Sequence, residues 1–150
     1  ISRQDMLDIY EIRHQLEGMA ARRAAASITQ EALADMKEVL NLQRFYIESE
    51  KEPGENSDHV KNLDSRFHEL LYTSCGSRPF ADTLISLHKK IIKYRKASVT
   101  HHGRAVHALE EHTAIYEALA AHDGEKAAKA ALLHVANACA SIEGITQKED

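Results

Sequence analysis

One aspartate and three histidines have the types and the spacing of a metal site: Asp64, His68, His112 and His134. Asp64 and His68 stand four apart in NLDSRFHELL, so a helix projects both from one side, a turn apart. His112 lies 11 residues before Asp123, and His134 lies 11 after it. Asp123-Gly124 is the best turn signal in that region. A turn there between antiparallel helices would set the two histidines at one height on neighbouring rods. Three imidazoles and a carboxylate converging in a bundle form a donor set of borderline hardness, suited to a divalent metal. The plain alternative is that a histidine on a helix is more often a surface or satisfied core residue than a ligand. His14, His59, His101, His102, His107 and His122 take that reading, while His88 lies close to an apolar stripe and stays open. Asp64 differs because it borders Leu63 and Phe67, and an ionised aspartate in a core needs compensation.

The elements that must position these residues are helices. The chain holds only 2 prolines and 6 glycines in 150 residues, which favours long helices over many short strands. Six segments show helical periodicity. The first is expected from about Asp5 to Ser27 with an apolar stripe of Ile9, Ile12, Leu16 and Met19. Thr29 caps the second, which carries Leu33, Met36 and Leu40. The polar ESEKEPGENSD is a loop, and Asn56 or Ser57 opens a third helix to about Thr73 with Val60, Leu63, Phe67, Leu70 and Leu71. Pro79 fits the first turn of a fourth, expected to end near Val99 and carrying Leu84, Leu87, Ile91 and Ile92. The fifth follows the break at Gly103 and runs to about His122. Asp123 caps the sixth, with Ala127, Ala131, Leu132 and Val135. The alanine runs AARRAAAS and EKAAKAALL mean close helix packing or simple helix propensity. An all-α antiparallel bundle of about six helices results, organised as one domain over residues 1–150.

Composition narrows the function classes. The formal charge is −4, and no basic stripe with interleaved aromatics appears, so direct nucleic-acid binding by these residues is not expected. No apolar run approaches a membrane span, and the first residues lack the apolar core of a signal peptide. Cys75 and Cys139 form no CxxC motif, consistent with a reduced, cytoplasmic setting. The sequence starts without methionine, and a piece of a longer protein is expected.

Three stretches together resemble the FCD domain, the effector-binding C-terminal domain of the FadR-type branch of GntR transcription regulators. EIRHQLEGMAARRAA looks like that family's E-x-R-x-x-L-E segment followed by alanines. LDSRFHELLYTSCGSRP resembles its D-x-x-F-H stretch and the small-residue break after it. RAVHALEEHTAIYEALAAHDGEKAAKAALLH is similar to its R…E-H-x-x-I…D…A…H segment. The resemblance covers nearly the whole chain. It implies a divalent metal held by Asp64, His68, His112 and His134, a small organic acid bound beside it, and a dimer whose DNA-binding domains respond. The winged helix-turn-helix that precedes this domain in the family has no match here, so DNA contact is expected only through that missing part. One position departs: Gly76-Ser77 stands where the family often has Gly-Asn, which removes an asparagine amide from the ligand's surroundings.

Four protein ligands on a six-coordinate ion leave two positions for a carboxylate or hydroxy-acid. Zinc leads the expectation, and nickel, manganese, iron or cobalt also suit the donors. A fixed cation should hold the acid's other end, and arginine matches a carboxylate better than lysine. Arg13, which matches the arginine of the family's E-x-R, is the first candidate, although it could simply pair with Glu17 on a helix rim. Arg95 and Asn137 are further ligand-binding candidates, and Tyr72, Tyr94 and Tyr116 could line the cavity. Two other functions compete: a metal-dependent hydrolase, which needs a general base aimed at the open position, and a structural metal clip with no ligand. Neither nucleophile motif nor phosphate loop supports an enzyme.

Overall fold

The structure, a computed structural model, describes residues 1–92, 94 and 101–149, with the side chains of 102 and 145–149 set aside. Six helices and no strand occur among the described residues: α1 Arg3–Ser27, α2 Gln30–Glu48, α3 Ser57–Thr73, α4 Arg78–Ile92, α5 His102–Ala120 and α6 Gly124–Glu149. They form the expected all-α antiparallel bundle. The expected end of α4 near Val99 lies outside the described residues. No helix among them is long and apolar enough to cross a membrane.

The ends of the helices are set by local chemistry. α1 starts two residues before the expected Asp5, because Ser2 and Asp5 form a reciprocal capping box: Asp5 N donates to Ser2 Oγ at 3.0 Å and Ser2 N to Asp5 Oδ2 at 3.2 Å. Thr29 Oγ1 caps α2 by accepting from Ala32 N at 3.0 Å, as its sequence position suggested. Asn56 precedes α3 without capping it; its amide instead donates to Tyr46 O at 2.8 Å and ties the loop to α2. Between α3 and α4, Gly76 adopts φ +73°, a left-handed conformation suited to glycine, and Ser77 Oγ accepts from Phe80 N at 3.4 Å.

The α5–α6 turn is built differently from its sequence signal. His122, not Gly124, takes the left-handed position, with φ +54°. Asp123 N donates to Ala118 O at 2.9 Å and His122 N to Leu119 O at 3.0 Å, the paired bonds of a Schellman motif. His122 Nδ1 lies 2.9 Å from Ala25 O, which ties the turn to α1. Asp123 Oδ1 then caps α6 by accepting from Lys126 N at 3.1 Å. Gly124 serves close approach, since a Cβ there would stand 3.0 Å from Arg22 Cγ.

The expected stripe of α1 is corrected by the packing. Ile9 is buried, but Ile12 and Met19 are 45% and 48% exposed. The inward face is Met6, Ile9, Tyr10, Arg13, Glu17, Ala20, Ala21 and Ala24. Two charged residues and a row of alanines occupy the positions that large apolar residues usually hold. Ala127, Ala128 and Ala131 of α6 are buried too, and α1 packs along α6 more extensively than along any other helix. The main core joins all six helices around Met36, Phe67, Leu71, Leu84, Ile115 and Leu119. A smaller core gathers Met6, Ile9, Tyr10, Ile91, Val135, Ala138 and Ile142 at one end. The polar site lies inside this bundle.

Candidate metal centre

Among the described residues eight polar or charged side chains are buried: Arg13, Glu17, Gln43, Asp64, His68, His88, His112 and His134. All four residues expected to bind metal are among them. α3 supplies Asp64 and His68 from one face. The α5–α6 turn sets His112 and His134 side by side, with ring centroids 4.7 Å apart. Phe67, fully buried, stacks on the His112 ring at 4.2 Å and 13°.

The donor atoms face one another. His68 Nε2 and His134 Nε2 are 3.3 Å apart. Asp64 Oδ1 is 3.6 Å from His68 Nε2 and 3.6 Å from His112 Nε2. Two donors on one ion can be separated by at most twice the bond length, about 4.2 Å for zinc with nitrogen or oxygen. These separations satisfy that limit. The three histidines bring one donor each within 4.8 Å of one another, and so do Asp64, His68 and His88, with His68 common to both groups.

The outer nitrogens fix the orientation of the rings. His134 Nδ1 lies 2.6 Å from Glu111 Oε1, and a carboxylate only accepts, so this nitrogen carries the proton. His112 Nδ1 lies 3.3 Å from Gln43 Oε1. His68 Nδ1 lies 3.4 Å from the Tyr72 hydroxyl, which itself donates to Glu17. In each ring the Nδ1 proton has an acceptor, which leaves the Nε2 lone pair pointing inward. Such outer partners orient histidine ligands in metal proteins. Burial pushes the His68 pKa well below the usual imidazole value, with Asp64 opposing, so this ring is neutral near neutral pH. Burial also raises the Tyr72 pKa, reinforced by Glu17, and keeps its hydroxyl protonated. Nε2 lone pairs that converge beside a carboxylate repel unless a cation sits among them, so the donor set fits a divalent ion.

Glu111 anchors the far side. It accepts from Arg104 through two bonds of 2.7 and 2.9 Å and from Asn137 Nδ2 at 3.0 Å. Burial by itself would raise its pKa, but bonds from His134 and Arg104 outweigh it and hold the carboxyl at about 2. Gln43 escaped the sequence reading, Glu17 was expected only as the partner of Arg13, and Glu111 was not linked to His134. Their signal is faint, because Gln43 and Glu111 reach their histidines across helices and Glu17 reaches His68 only through Tyr72. Asn137 is thus engaged with Glu111.

Arg13 is fully buried, away from the helix rim. Its Nε donates to Glu17 Oε1 at 3.0 Å, so the expected pairing exists, but inside the bundle. Its guanidinium lies 5.2 Å from the Tyr10 ring centroid. Both Nη atoms, and the Tyr10 hydroxyl, are buried without a hydrogen-bond partner among the described residues. Burial acts to lower the Arg13 pKa, but Tyr72 and Glu17 raise it further, so the group stays charged. Arg13 thus reaches His68 through Glu17 and Tyr72. Arg95 lies outside the described residues.

A cavity of about 200 Å³ opens between α3 and α4, lined by Ser65, His68, Tyr72, Ile85, His88 and Lys89 among others. It adjoins the donor cluster through His68. Tyr72 lines it as expected; Arg13 and Asn137 do not. Tyr94 and Tyr116 pack against the two cores instead.

Residues 8–137 match the family model of the FCD domain. The chain belongs to the FCD domain family. Its curated relatives include the HTH-type transcriptional repressor RspR of Escherichia coli K12, 29% identical over 137 residues. The HTH-type transcriptional regulator YdfH of Shigella flexneri matches equally, at 29%. In both cases the match covers 91% of this chain and 58% of the relative, so this FCD chain spans well under two thirds of their length. Among solved structures, Streptococcus agalactiae GntR has the same fold, with a TM-score of 0.74, 22% identity, and coverage of 93% of this chain and 60% of that one.

Proposed function

We propose that this FCD chain is the effector-sensing domain of a GntR/FadR-type transcription regulator. In this reading Asp64, His68, His112 and His134 hold a divalent metal, zinc first among the candidates. A small carboxylate binds beside it, and its binding alters how DNA-binding domains outside this sequence are presented in a homodimer. The observation that carries the reading is the set of inward Nε2 atoms, each fixed by an acceptor on the opposite ring nitrogen. A bound divalent ion there supplies a positive charge and open positions for a carboxylate oxygen. Arg13 does not line the cavity itself, but it stands behind Tyr72 and Glu17, and two buried Nη atoms of its charged guanidinium have unmet hydrogen-bonding capacity that supports an anionic ligand. The cavity volume, about 200 Å³, is small for a ligand site and suits a short acid rather than a long one. That room favours a sensor over a metal clip.

Metal analysis of protein purified without chelator or nickel resin tests the first part. About one equivalent in wild type, lost in His134→Ala, is expected. No metal in either, with no thermal stabilisation by added zinc, nickel or manganese, removes the basis for the reading. Calorimetric titration of short organic acids into loaded protein tests the second. Arg13→Ala should lose at least ~1.5 kcal/mol of binding, the lower range for charged hydrogen bonds. Unchanged affinity would remove Arg13 as the anchor.

A further inference from the structure

His88 is the buried donor outside the expected set of four. It comes from α4 and is 5% exposed. Its Nε2 lies 3.9 Å from Asp64 Oδ2, within the roughly 4.2 Å limit for two donors on one ion. Its ring centroid is 5.0 Å from that of His68. The Asp64 carboxylate is shared, with Oδ1 toward His68 and His112 and Oδ2 toward His88. His68 and His88 also line the same cavity, so His88 stands where a ligand from that cavity would meet the donors.

We propose that His88 is a fifth, exchangeable donor at the metal site, and that an incoming carboxylate takes its position. The inference rests on the metal reading above. With an ion bound, the exchange would change no oxidation state: His88 Nε2 would give up its place as donor and a carboxylate oxygen would take it. Ser65 Oγ already stands 3.1 Å from Nε2, so the ring has a hydrogen-bond partner there when no ion holds it. The consequence concerns α4. Asp64 and His68 belong to α3, His112 to α5 and His134 to α6, so His88 is the donor that ties α4 to the others. Its release on ligand binding loosens α4 from the site while the remaining helices stay joined. A local ligand exchange thereby becomes a change in helix packing.

The test uses this chain with zinc, cobalt(II) and acetate as probes. Zinc affinity is measured by competition with a chromophoric chelator, and the cobalt site by its visible absorption. His88→Ala should bind zinc about tenfold or more weakly than wild type, a loss typical of removing a group that supports a metal site. Its cobalt spectrum should differ from that of wild type, and acetate should bring the two spectra together. His88→Gln, which keeps a polar side chain, replaces His88→Ala in these comparisons if the alanine variant does not fold. Zinc affinity and cobalt spectrum equal to wild type in a folded variant would overturn the fifth-donor role. A wild-type spectrum that acetate does not move would overturn the exchange. If wild type takes up neither zinc nor cobalt, the underlying metal reading fails and this inference with it.

Discussion

Glu111 offers the sharpest test of whether the histidine cluster is built for a metal. Its carboxylate receives His134 Nδ1 at 2.6 Å, two bonds from Arg104 at 2.7 and 2.9 Å, and Asn137 Nδ2 at 3.0 Å. Glu111→Gln preserves an acceptor for His134 but removes the charge, and turns an NH2 group toward neighbouring donors. Partners of this kind typically contribute about 10–100-fold in metal affinity, or roughly 1.4–2.7 kcal/mol. Zinc affinity should fall by that factor in Glu111→Gln and further in Glu111→Ala. The metal-free variants should also lose about 1–3 kcal/mol of stability, because buried donors are left poorly matched. Arg104→Ala is the control: it deletes the guanidinium but keeps the bond between Glu111 and His134, so it should weaken zinc less than Glu111→Ala. The assays are chelator competition for affinity and urea unfolding for stability. Zinc affinity within twofold of wild type in both Glu111 variants, despite lower stability, would refute the reasoning. Glu111 would then be a structural ion pair that happens to touch a histidine.

Two further outcomes are expected. Phe67→Ala removes a fully buried ring stacked on His112 and should cost about 3–5 kcal/mol in urea unfolding; a loss below ~1 kcal/mol would show that the ring is not packed as described. The metal-free protein should lose stability as pH falls below about 6.5, the ordinary histidine value. The sign follows from His68: its folded pKa is lowered, so below 6.5 the unfolded chain binds a proton that the folded chain does not. The contribution is fully present above 6.5. Urea midpoints in chelator at stepped pH measure it, and a flat profile between pH 7 and 5.5 would contradict the neutral buried ring.

Much of the site was legible because helical spacing is rigid. A spacing of four from Asp64 to His68 puts them on one face wherever the helix packs. Equal distances from a turn set His112 and His134 level, although the turn turned on His122 rather than Gly124. The outer partners were illegible. Gln43 reaches His112 from α2, and Glu111 reaches His134 across the α5–α6 pair. Nothing local to 43 or 111 distinguishes a glutamine or glutamate facing a histidine from one facing water. His88 stayed open for the same reason: its place near a stripe indicated burial but not which donors it would meet.

Helix α1 shows where periodicity misled. Ile12 and Met19 looked like core residues, yet the inward face carries Arg13, Glu17 and alanines. Hydrophobic periodicity assumes that apolar side chains mark the buried side. Here α1 packs along α6 through small residues, with Gly18 placed where a Cβ would stand 3.3 Å from Leu132 Cγ, and its charged pair is joined inside the bundle.

By itself the sequence determined the helices, the breaks between them and the candidate donors Asp64, His68, His112 and His134, because capping chemistry, glycine and proline placement, and the 3.6-residue period act within a few residues along the chain. Only the tertiary structure decided which buried nitrogens and oxygens face one another, which acceptor holds each outer ring nitrogen, and where the cavity lies. Those depend on distances between helices, set by how alanines and large side chains interlock across the bundle. Interhelical packing of that kind is a property of pairs of surfaces, and no single helix encodes it.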